Sequence, residues 1–212
     1  MKTETEIKPV RWQITWIVLI AVAVSGLAAA FFFDYTVAAW LRANTSPQVK
    51  HAMIIVSRIG DWPAHVIVCT IGIVISFATK KRNWMRIFVA MLIALILAGL
   101  TGRVIKIATG RARPSVNTEQ HWNGWQLSSK YHAFPSGHTA ISTAFFVALF
   151  LVRKRLGAPL LLIPIVIASS RMVVGAHYLS DVTFAAILGV ACAIVAVHWV
   201  CPICTSGDAL VS

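Results

Sequence analysis

Acidic residues are scarce in this chain. Of 212 residues, seven are Asp or Glu and nineteen are Lys or Arg, and charged residues together make up 12%. A soluble globular domain carries about 25% charge, so a water-facing surface of the ordinary kind is excluded. Apolar residues make up 58%, which excludes a disordered chain. A nucleic-acid-binding domain needs a soluble surface for its basic residues, so no nucleic-acid partner is expected. The mean hydropathy of +0.77 with a basic, charge-poor composition reads as an integral membrane protein. Alternating strand-like periodicity, internal repeats and low-complexity tracts are absent. At this length one domain over 1–212 is expected, with room for about six spans of ~20 residues.

Six apolar runs divide the chain: Ile14–Phe33, Pro63–Thr79, Trp84–Thr101, Gly137–Val152, Ala158–Val174 and Val182–Cys201. Each comes near the ~17–25 residues that cross hydrocarbon as a helix, and helices satisfy their own backbone in lipid. The expected fold is therefore all-α, a six-helix membrane bundle. The first run has a basic front (Lys2, Lys8, Arg11), and Ala28-Ala29-Ala30 resembles a cleavage site. The apolar run continues through Phe33, longer than a signal core, so an uncleaved span is expected. Between the first two runs, Val49, Ala52, Met53, Val56 and Ile59 fall at helical spacing. This predicts an amphipathic helix, lying at the interface or packed on the bundle.

Basic residues orient the bundle through the short loops. With the N-terminus inside, Lys80-Lys81-Arg82 and Arg153-Lys154-Arg155 fall on the inner side. Both termini are then cytoplasmic, and the long connection of about Gly102 to Pro135 faces outward.

Three stretches place polar residues at span ends on that outer side. The first holds Lys106, Arg113 and Pro114. Lys106 and Arg113 are seven apart, which on a helix is two turns and one face, and Pro114 disfavours helix at Arg113. The second is Pro135-Ser136-Gly137-His138, opening the fourth run, where free helix-start amides bind anions and Gly137 lets a ligand approach the backbone. The third runs from Ser170 to Asp181 and holds Arg171, His177 and Asp181. His177 and Asp181 are one helical turn apart, so the carboxylate can orient the imidazole. Singly these are ordinary: a cation at a span end is usually an anchor, and a histidine at a helix start is usually a cap. Together on one face they mark function, because ionisable groups at membrane depth cost ~2.5–3.5 kcal/mol each. Lys106, Arg113 and Arg171 can neutralise a phosphate dianion, with Arg offering paired donors. One neutral histidine can attack phosphorus, and a protonated one can serve the leaving oxygen.

The stretches read Lys-x6-Arg-Pro, Pro-Ser-Gly-His and Ser-Arg-x5-His-x3-Asp, in that order. This resembles the type-2 phosphatidic acid phosphatase superfamily at every signature position. The resemblance implies that His177 is the nucleophile, Asp181 its orienting partner and His138 the acid for the leaving group. It implies that Lys106, Arg113, Ser136, Gly137 and Arg171 bind phosphate, with no metal and no cofactor. One acid, Asp181, lies in the constellation, and no second carboxylate is near in sequence to build a metal cluster. The implied substrate is a lipid phosphate or diphosphate: undecaprenyl diphosphate, which is favoured here, phosphatidylglycerol phosphate, phosphatidic acid or a lipid A phosphate. A lipid phosphotransferase using the same phosphohistidine and a non-catalytic lipid-phosphate binder are the alternatives. Composition sets aside the soluble haloperoxidases that share the signature.

Weaker signals remain. Arg111 either touches substrate or faces solvent. Trp122, Trp125, Tyr131 and Phe134 read as an interfacial aromatic belt or as a lip for a lipid headgroup. His121 and His132, in the same loop, read as structural or solvated. Cys201 and Cys204 with His198 supply three groups where a closed zinc site needs four, and Cys69 and Cys192 read as packing residues.

Overall fold

The computed structural model of the protein describes residues 7–116 and 118–201, apart from the side chains of residues 7–13 and 59. Lys2, Cys204 and the C-terminus lie outside the described residues, as do the side chains of Lys8 and Arg11. Among the described residues eight α-helices follow one another: α1 (Ile7–Asn44), α2 (Pro47–Ile59), α3 (Trp62–Ala78), α4 (Arg82–Thr109), α5 (Gly137–Val152), α6 (Lys154–Leu160), α7 (Leu162–Val173) and α8 (Leu179–Val200). No strand occurs among the described residues beyond one isolated bridge, Arg111 to Trp122. Among the described residues five helical stretches are long and apolar enough to cross a membrane, and α5 is a shorter apolar helix. The fifth apolar run is split into α6 and α7 around Leu161.

Small residues bring α4, α5 and α8 together. Ala90, Ala94 and Ala98 on α4, Ala140, Ala144 and Ala148 on α5, and Ala185, Ala193 and Ala196 on α8 all have no accessible surface. Their spacings of three, four or eight residues line one face of each helix, and small side chains let backbones approach where lipid offers no hydrophobic drive. Gly189 marks a close crossing of α8 with α5: a Cβ there would stand 2.7 Å from the carbonyl oxygen of Ala140. Outside this core the apolar side chains face outward, as Ile17, Val22, Phe77 and Leu162 do.

Helix starts are set by local chemistry. Ser46 accepts from the Val49 amide to cap α2, and Asp61 accepts from the Trp62 amide to cap α3, each followed by a proline in the first turn. α2 packs against α7, with Ser57 buried while Val49 and Ile55 stay exposed. α1 runs eleven residues beyond Phe33, to Asn44, so Asp34 sits inside the helix and not at its end. α1 rests on α8 and α7, and its buried side chains among those described are Ala30 and Asp34.

Candidate functional site

The connection between α4 and α5 folds back over the end of α4. Gly110 makes this possible. It caps α4 in the left-handed region at φ +54, and a Cβ there would lie 2.0 Å from the Gly124 carbonyl oxygen. The next residues run alongside the later loop: the Ala112 amide donates to His121 O at 2.8 Å, the Arg113 amide to Lys130 O at 3.1 Å and the Ala133 amide to Arg111 O at 2.9 Å. Lys106 therefore sits on α4 while Arg113 sits on the returning loop. The expected shared helical face does not form, because the glycine ends the helix four residues before Pro114. The two cations still act on each other, and Arg171 from α7 joins them.

Ser136 caps α5, and Gly137 opens it. The amides of the first turn precede the first intrahelical bond, Ala140 N to Ser136 O at 3.0 Å, and are the free donors of a helix start. Lys106 Nζ lies 3.8 Å from where a Gly137 Cβ would be, so the ammonium faces that turn. Ser136 has no accessible surface, and its Oγ accepts from Thr139 Oγ1 at 3.0 Å. Arg113 and Arg171 each keep a buried Nε–H with no hydrogen-bond partner among the described residues. Unpaired buried donors of this kind call for an acceptor.

His177 precedes α8 and is buried. Its Nδ1 lies 2.6 Å from the Ala133 carbonyl oxygen and 3.6 Å from Asp181 Oδ2. Asp181 is the third residue of α8, where Oδ2 accepts from the Tyr178 amide at 2.7 Å in a capping box. The pair is thus not stacked on one helical turn, because His177 lies outside the helix. Both partners of Nδ1 can only accept, so Nδ1 carries the proton and Nε2 carries the lone pair. Burial, the dominant cause, pushes the His177 pKa down to about 4, opposed by Asp181.

Sequence reasoning missed three participants. Asp61, at the α2–α3 corner, places Oδ1 3.5 Å from His138 Nε2. Ser57 accepts a hydrogen bond from Arg171 Nη1. Asp34 reaches Arg111 and Ser180 from α1. Asp34 had a readable signal, since a carboxylate in an apolar helix is costly without a partner. Arg111 neither faces solvent nor opens to the site: it is 2% exposed. His132 is also internal, its Nε2 facing Gln126 O at 2.9 Å. Of the aromatic loop, Trp125 is well exposed, but Phe134 is buried among Phe31, Trp122 and Phe184. Phe134 is therefore core and not belt.

This is a multi-pass, membrane-embedded helical bundle with cations and paired histidines gathered at one end. The model of the PAP2 superfamily matches residues 84–202, which contain all three signature stretches, and the chain belongs to that superfamily. Curated relatives include the lipid A 1-phosphatases of Rhizobium johnstonii and Rhizobium etli. Each is 33% identical over 96 residues, covering 42% of this chain and 37% or 39% of the relative. The matched part is thus well under half of those relatives. The fold is shared with two crystal structures, each 19% identical. LpxE from Aquifex aeolicus gives a TM-score of 0.60 over 78% of this chain and 94% of its own. The transmembrane PAP2-type phosphatidylglycerolphosphate phosphatase from Bacillus subtilis gives 0.64 over 86% and 94%.

Proposed function

We propose that this protein is a lipid phosphatase working through a phosphohistidine, as one domain of six spans with its site on the outer face of the cytoplasmic membrane. The observation that carries this is the neutral, Nδ1-bonded His177 beside Lys106 and Arg171, with Arg113 acting on both of those cations and each guanidinium keeping an Nε–H with no partner among the described residues. A phosphate dianion supplies what those donors lack. Lys106, Arg113 and Arg171 take its oxygens, with Ser136 and the free first-turn amide of Gly137 completing the cradle. Catalysis of phosphoryl transfer consists mostly of such positioning and charge stabilisation.

His177 Nε2 attacks phosphorus, and the bond from phosphorus to the lipid oxygen breaks. His138 gives its proton to that oxygen, and Asp61 Oδ1 lies 3.5 Å from its Nε2. His138, now neutral, takes a proton from water as the water oxygen attacks phosphorus. The N–P bond breaks, inorganic phosphate leaves and His177 is restored. Asp181 faces Nδ1 during the step and stabilises the positive charge that develops on the ring. No step requires a metal.

A site at the end of a bundle suits a substrate whose tail stays in lipid while its headgroup enters. The lipid A 1-phosphatase relatives favour a phosphorylated glycolipid over undecaprenyl diphosphate as the substrate. The test is phosphate release by purified protein in detergent, with EDTA, across lipid A, undecaprenyl diphosphate, phosphatidylglycerol phosphate and phosphatidic acid. Free inorganic phosphate from lipid A above the other three supports the reading. Transfer of the phosphate to a second lipid without free phosphate would make the protein a phosphotransferase.

A further inference from the structure

Arg111 is buried, yet its bonds converge on the His177 ring. Its carbonyl oxygen accepts from the Ala133 amide at 2.9 Å, and the Ala133 carbonyl is the nearest acceptor of His177 Nδ1. Its Nη1 donates to Asp181 Oδ1 at 2.5 Å, and the other oxygen of Asp181 faces the same Nδ1. Both acceptors of the one N–H are therefore held by one residue, one through its backbone and one through its side chain. Nη1 also donates to Ser180 Oγ at 2.7 Å, and Nη2 donates to Asp34 Oδ2 at 2.6 Å. Asp34 in turn accepts from the Ser180 amide at 2.7 Å and from Ser180 Oγ at 2.6 Å.

We propose that Arg111 and Asp34 form a positioning unit that sets the orientation of His177 from behind, and that α1 is part of the active site through Asp34. The proposal rests on His177 being the nucleophile.

The chemistry requires this residue type. Two buried carboxylates, at 1% and 0% exposure, repel each other unless a cation lies between them. A guanidinium bonds both from two terminal nitrogens that diverge in a fixed plane, whereas a lysine ammonium would have to serve both from a single atom. The guanidinium lies 4.4 Å from the centre of the Tyr178 ring, 4.7 Å from Trp122 and 5.5 Å from Phe31. These faces attract the cation and keep water from its bonds. Its Nε, with no hydrogen-bond partner among the described residues, lies within that aromatic enclosure. A staple needed only to fasten α1 would not have to involve the carboxylate that faces the nucleophile.

The experiment measures kcat and KM for lipid phosphate hydrolysis with Asp34→Asn, Arg111→Lys and the double variant, alongside thermal unfolding in detergent. Misplacing a reacting group by about 1 Å costs about 10²-fold. The expected result is a fall in kcat of about 10–100-fold for Arg111→Lys and a smaller fall for Asp34→Asn, with KM within about twofold because the phosphate cage is untouched. The double variant should be no worse than Arg111→Lys, since both residues act through one set of contacts. Losses that multiply in the double variant, that appear in KM, or that track the fraction unfolded would overturn the proposal. If Arg111→Lys does not fold, the near-isosteric Asp34→Asn decides alone: an unchanged kcat overturns it. Turnover by His177→Ala would instead remove the nucleophile reading on which it rests.

Discussion

His177 Nδ1 faces the Ala133 carbonyl oxygen at 2.6 Å, a full ångström closer than Asp181 Oδ2 at 3.6 Å. The tautomer is therefore fixed first by the backbone of the α4–α5 connection and only second by the carboxylate. A carbonyl oxygen cannot give a proton back, so the Nε2 lone pair is available whatever the state of Asp181.

The first prediction concerns protonation. Burial lowers the His177 pKa from 6.5 to about 4, so the imidazole is neutral and nucleophilic above that pH. Below pH 6.5 an unfolded chain takes up this proton before the folded one does. His177 therefore lowers stability progressively as pH falls from about 6.5 to about 4. NMR titration of the protein with labelled histidine, assigned by loss of a signal in His177→Asn, should place the midpoint near 4. A midpoint near 6.5 would mean the ring is solvated.

The second concerns Asp61. Its carboxylate stands 3.5 Å from His138 Nε2, close enough to act on the ring proposed to serve the leaving group. A general acid contributes about 10²–10⁴-fold, and loss of its neighbour removes part of that. Asp61→Asn should lower kcat roughly tenfold on a lipid phosphate, whose alkoxide leaves poorly. It should have little effect on p-nitrophenyl phosphate, whose leaving group needs no proton. Equal losses on both substrates would place Asp61 outside proton transfer.

The third concerns the turn. Gly110 has φ +54, and a Cβ would meet Gly124 O at 2.0 Å. Gly110→Ala carries the left-handed cost of roughly 1–2 kcal/mol plus that clash. It also displaces the neighbouring Arg111. A lower melting temperature and a loss of kcat are expected together. A melting temperature equal to that of the unchanged protein would show that the turn can relax.

The signature residues were legible because their spacing is local. Lys106 to Arg113, Ser136 to His138 and Arg171 to Asp181 each lie within one short stretch, and helix ends gather such stretches. The apolar runs located the helices, since length and hydropathy are also local properties, but not all of their ends: α1 continues to Asn44, α4 continues to Thr109, and the fifth run is split around Leu161. What escaped was long-range. Ser57 meets Arg171 across 114 positions and Asp34 meets Arg111 across 77, and each belongs to a helix that carries no motif. Gly110 ended α4 early and moved Arg113 off the helix, because a left-handed cap overrode the seven-residue spacing. Arg111 was ambiguous because sequence does not reveal that two carboxylates and three aromatic rings wait around it.

The fourth prediction is topological. Ser128 is exposed in the α4–α5 connection. A cysteine there should react with a membrane-impermeant maleimide in intact spheroplasts, against a background set by the unsubstituted protein. Reaction only after lysis would reverse the proposed orientation.

The most direct test is phosphate release from a lipid phosphate by purified protein in detergent with EDTA, compared between the native chain and His177→Ala. The account predicts turnover by the native chain without added metal, and none by His177→Ala despite an unchanged melting profile. Retained turnover in His177→Ala, or strict dependence on added metal, would contradict it.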